Sequence, residues 1–204
     1  MSLGPTLPPL DACQGSSMPM HEPVFDDHDL LVEAIDHDHI QGGLFDVYLM
    51  VWAGHVTEAA VESLDVGLRL AAQRGSGSVM LLGVILPGAP MTMSREARDK
   101  LSAVLSKHAA SLRGIAMVSG GDTSITRWLR SGLVSSIAVA ASGVELRGFG
   151  EVDEALAWTS DCARDEAATP DRLKVSLEDF RDRLDRARNP EAPHARRDTI
   201  MLCC

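Results

Sequence analysis

From Phe45 to Ala71 the chain reads FDVYLMVWAGHVTEAAVESLDVGLRLA, an apolar stretch that stops at Gly54 and then changes period. Leu44 to Trp52 is rich in apolar and β-branched residues, the composition of a strand. After Thr57, Val61, Leu64, Leu68 and Ala71 recur at three- and four-residue intervals, which places them on one face of a helix. A strand followed by a helix leaves an apolar surface on each, and that surface must be buried against further units of the same kind.

Those further units follow. Val79–Leu86 is a continuous apolar run, as expected of a strand covered on both faces. Pro87-Gly88-Ala89-Pro90 breaks it, and Ser94 opens a helix with Leu101, Val104, Leu105, His108 and Leu112 on one stripe. Gly114–Ser119 reads as another strand. Asp122, after Gly120-Gly121, caps a helix carrying Ile125, Trp128, Leu129 and Leu133. Val144–Phe149 is the next strand, and Val152, Ala155, Leu156 and Thr159 face one way on a short helix. Upstream, a strand near Glu33–Ile40 pairs with Leu44–Trp52 across a Gln41-Gly42-Gly43 turn. The expected fold class is α/β, with a mixed, mostly parallel sheet after an N-terminal hairpin. Residues 1–32 read as a disordered acidic lead, 33–161 as the domain, and 162–204 as a charged tail with a helix at about 170–188.

Charge is distributed unevenly. Of 204 residues with a formal net charge of −10, the first 68 hold 12 acidic residues and no Lys or Arg. Such a segment repels phosphate backbones, so nucleic acid is not an expected partner. No run approaches the roughly 20 apolar residues of a membrane span, and the first ten residues lack the basic start of a signal peptide. The expectation is a cytoplasmic protein with no transmembrane segment. Cys13, Cys162, Cys203 and Cys204 form no Cys-x-x-Cys pair, so neither a disulfide framework nor a zinc site is expected.

The hairpin, the αβ units and the closing Glu151-Val152-Asp153-Glu154-Ala155-Leu156-Ala157-Trp158 resemble a STAS-like domain, of the sulfate-transporter and anti-sigma-factor-antagonist superfamily. The resemblance covers about residues 33–161. It implies helices mainly on one face of the sheet and a role in binding proteins, with some relatives binding nucleotides or lipids. Antagonists of anti-sigma factors carry a phosphorylatable Asp-Ser pair in the loop after the buried strand. Here Leu86–Ser94 has no Asp before a Ser, so no serine switch is expected.

The individual motifs have structural readings. Gly54-His55-Val56-Thr57 lacks the glycine-rich run of a phosphate cradle, and reads as a junction in which Gly54 turns and Thr57 caps. At Gly120-Gly121-Asp122 the Asp carboxylate competes with any anion for the free N–H groups. Asp26-Asp27-His28-Asp29 and Asp36-His37-Asp38-His39 concentrate His and Asp. Were the latter a strand, His37 and His39 would share a side and could chelate a metal, with a charged edge strand as the alternative. His108 reads as a boundary residue, and Trp128 and Trp158 as packing.

The expected function is a non-enzymatic, protein-binding regulatory or scaffold module in bacterial signalling, without catalytic residues, metal or cofactor. The alternative is a lipid- or small-ligand-binding version of the same fold. The candidate contact residues are Leu173, Leu177, Phe180 and Leu184, a narrow stripe on an otherwise charged helix. An isolated helix of this length is marginal in water. The stripe must therefore fold back on the core, pair with its copy in a homodimer, or dock into a partner. Tail residues Arg172, Arg181, Arg183, Arg186 and Arg188 oppose the acidic lead in charge, which favours contact between the two.

Overall fold

The computed structural model describes residues 30–74, 77–90, 92–119 and 143–190. Six strands form one sheet in sequence order: β1 (Leu31–Ile35), β2 (His39–Leu44), β3 (Val47–Trp52), β4 (Val79–Ile85), β5 (Leu112–Ser119) and β6 (Glu145–Phe149). The first three strands are antiparallel and the last four run parallel. Four described helices accompany them: α1 (Glu58–Arg74), α2 (Arg95–His108), α3 (Val152–Cys162) and α4 (Pro170–Arg188). The α/β class, with a mixed sheet that becomes parallel after an antiparallel start, is the one expected.

Because β3 to β6 follow one another across the sheet, successive crossovers step in the same direction. Right-handed connection then places the crossover helices on one face. There α1 and α2 pack on Tyr48, Met50, Trp52, Leu81, Ile85, Ile115 and Met117. The alternate residues Val47, Leu49, Val51, Met80, Leu82, Val84, Ala116 and Val118 face the other way and are covered by α3 and α4. The resemblance implied helices mainly on one face; the described helices divide two and two. The physical reason lies in the strands, which are apolar on both sides and leave a second face that water would otherwise meet. Closing that face falls to α4, the helix assigned to the charged tail.

The hairpin differs in detail. Gln41-Gly42-Gly43 is no turn but lies inside β2, fully buried. A Cβ on Gly42 would sit 2.0 Å from the Leu31 carbonyl oxygen, and one on Gly43 would sit 2.1 Å from the Arg74 guanidinium. These glycines serve close approach within a strand, which sequence does not separate from a turn. The turns fall on either side, at 36–38 and at Phe45-Asp46. Leu112, placed on the α2 stripe from sequence, instead starts β5, and α2 ends at His108. The helix expected after Asp122 with Ile125, Trp128, Leu129 and Leu133, and the lead up to residue 29, lie outside the described residues.

At Phe45 the backbone enters the left-handed region with φ 55, which costs a non-glycine residue about 1–2 kcal/mol. Two contacts offset it. Arg172 stacks 4.6 Å from the Phe45 ring centroid. The buried Asp46 carboxylate accepts the Arg164 and Asp165 backbone N–H groups at 2.6 and 3.4 Å. The turn is thereby pinned to the α3–α4 connection.

Candidate functional site

Ligands of open α/β sheets gather beyond the carboxyl ends of the parallel strands. Among the described residues, that edge includes the turn at 36–38, residues 53–57 after β3, and residues 86–90 and 92–94 after β4. Hydrogen bonds lace them together. The Ala53 N–H donates to the Asp38 carbonyl at 2.8 Å, the Val56 N–H to the Thr92 carbonyl at 3.0 Å, and the Leu86 N–H to the Trp52 carbonyl at 2.8 Å. Val56 and Met93 form a parallel bridge, and the His55 Nδ1 pairs with the Thr92 hydroxyl. Gly54 lies against the Asp38 carboxylate, whose Oδ1 stands 1.7 Å from where a Cβ would be. His37, His55, Pro87, Gly88, Pro90 and Thr92 are exposed along this ledge.

Under it a polar chain runs inward from half-exposed Asp36 to buried His39 and Gln41. The Asp36 Oδ1 accepts the Asp38 and His39 backbone N–H groups at 2.7 and 2.9 Å and faces the His39 Nδ1 at 2.9 Å. The Gln41 amide nitrogen donates to the Ala60 carbonyl at 3.0 Å and lies 3.3 Å from the His39 Nε2. With the amide donating on both sides, the neutral tautomer that satisfies every partner carries its proton on Nδ1. Burial pushes the Asp36 carboxyl up, but the two backbone donors and the imidazole together outweigh it, and the net shift is below the ordinary carboxylate range. Both nitrogens of His39 are spent on holding the turn and the start of α1.

The metal alternative placed His37 and His39 on one face of a strand. Instead they flank the end of a turn and diverge: the side chain of His37 is 76% exposed and that of His39 5%. Asp36 is the reason, since it closes the turn on the backbone two and three residues ahead. Among the described residues no group of three or more His, Cys, Asp or Glu is placed to hold a metal ion. The segment 26–29 and the candidate anion turn at 120–122 lie outside the described residues.

Gly54-His55-Val56-Thr57 is a junction, as expected, with the Thr57 Oγ1 accepting the Ala60 N–H at 3.1 Å. Ser94 caps α2 by accepting the Ala97 N–H at 3.0 Å. His108 is buried at the α1–α2 seam, where its Nε2 meets the Asp65 Oδ1 at 2.7 Å. Trp158 packs against Phe149, with ring centroids 5.7 Å apart, and under the Arg147 guanidinium.

The candidate contact residues took the first of their three routes. Leu173, Leu177, Phe180 and Leu184 are between 0 and 2% exposed, within the core that α4 forms with the sheet. They offer no surface to a partner. Sequence revealed the stripe but not its cover, because an apolar face looks the same whichever surface buries it. It missed Asp46, the buried role of Gln41, and the group in which the Glu33 carboxylate accepts the Tyr48 hydroxyl at 3.2 Å and the Arg74 guanidinium at 3.1 Å. Asp36 followed by backbone donors at i+2 and i+3 was the one available sign, an Asx turn.

A recess of about 220 Å³ lies between the first turn of α3 and α4, lined by Glu151, Val152, Asp153, Lys174, Leu177, Glu178 and Arg181. Lys174 is already paired with Asp153 at 2.9 Å. No described helix is long and apolar enough to cross a membrane. Comparison with protein-family models, with curated proteins and with solved structures finds no match.

Proposed function

We propose that the chain is a non-enzymatic, partner-binding module of STAS-like type, acting in the cytoplasm of a bacterial signalling or scaffold system. The observation that carries this reading is the laced carboxyl edge. Three segments are cross-bonded into one ledge, so its exposed groups are held before a partner arrives, and a preset surface loses little entropy on binding. His37, His55 and Thr92 supply donors and acceptors there, and Pro87 and Pro90 supply stiff apolar contact. Ser94 is engaged as a helix cap, which fits a module without a serine switch. The lipid- or small-ligand alternative would draw on the recess beside α4. That volume falls below the roughly 300 Å³ at which ordinary ligand pockets begin, and five of its seven lining residues are charged.

The test is the double variant His37→Glu with His55→Glu in the full chain, expressed in its own cells. Its stability should fall by no more than about 1 kcal/mol, the cost of the exposed His55–Thr92 hydrogen bond, so that the variant stays folded. Expected is loss of a polypeptide that co-isolates with the unaltered chain. Undiminished co-isolation with the folded variant would remove the ledge from the interface.

A further inference from the structure

We draw no further inference here: the strongest candidate, the recess between the first turn of α3 and the Lys174 and Arg181 side of α4, sets three carboxylates against two cations on a partly exposed wall, and nothing in the structure shows what ligand would fill it.

Discussion

Gly67 lies within α1, where an alanine would ordinarily add about 1 kcal/mol of helix propensity. Here a Cβ would stand 2.0 Å from the Tyr48 hydroxyl and 2.3 Å from a Glu33 carboxylate oxygen. Tyr48 is fully buried and has nowhere to retreat, and overpacking of this kind costs about 1–3 kcal/mol. The steric effect wins. Gly67→Ala should therefore destabilise the chain by about 1 kcal/mol in urea denaturation, against a gain if the helix alone decided. Glu33 and Asp65 set pH dependences of opposite sign. Burial pushes the Glu33 carboxyl up, and the Arg74 charge and Tyr48 hydroxyl only partly restore it. The hydrogen bond from Lys107 holds the Asp65 carboxyl below its usual range, with burial opposing and His108 adding to it. A depressed acid stabilises the fold above its unfolded value of about 3.9 and loses that contribution as pH falls through the folded one. Asp65→Asn should flatten the acid limb of stability below about pH 4. Glu33 runs the other way: the fold binds its proton more tightly, so its contribution is present below about pH 4.3 and is lost as pH rises through the folded value. Glu33→Gln, which keeps the uncharged form, should gain on the unaltered chain between pH 4 and pH 7. A stability difference that stays flat or falls over that range would contradict the placement of Glu33 under α1.

At the scale of elements, α4 gives the sharpest expectation. Phe180 is completely buried against the face of the sheet opposite α1 and α2, and truncating such a ring costs about 3–5 kcal/mol. Phe180→Ala should lose that much in denaturant while light scattering reports an unchanged mass. A smaller mass with little loss of stability would instead make α4 an intersubunit contact. The helix also marks where sequence stops being sufficient. Val79–Leu86 could be read as a strand covered twice, because eight consecutive residues without a polar side chain leave no face for water. The α1 and α2 stripes were legible through their spacing, apart from Leu112. Gly42 and Gly43 were not, since a glycine demanded by a neighbouring backbone carries the same letter as one demanded by a turn. The ledge was legible only in part. Thr57 and Ser94 announce themselves as caps, whereas Gln41 reaching Ala60 depends on a contact 19 residues away in sequence.

At the scale of the whole molecule, among the described residues, several acidic groups of the first 68 positions are answered by cations of α1 and α2. Glu33 pairs with Arg74, Glu58 and Glu62 with Lys100, and Asp65 with Lys107. Where the acidic segment meets the start of the tail, the contacts are not the expected charge pairs: Arg172 covers the Phe45 ring, and the Asp46 carboxylate takes the backbone N–H groups of 164 and 165. Tail residue Arg183 pairs with Asp179 of its own helix. Exposed pairs of this sort contribute at most about 1 kcal/mol each, so packing on the two faces carries the stability. What the surface does is the central question, and native mass spectrometry of the full chain isolated from its own cells addresses it most directly, run beside the His37→Glu, His55→Glu variant. The partner-binding account predicts a second polypeptide on the unaltered chain and its absence from the folded variant. A bound lipid or nucleotide mass, with no polypeptide on either protein, would contradict it.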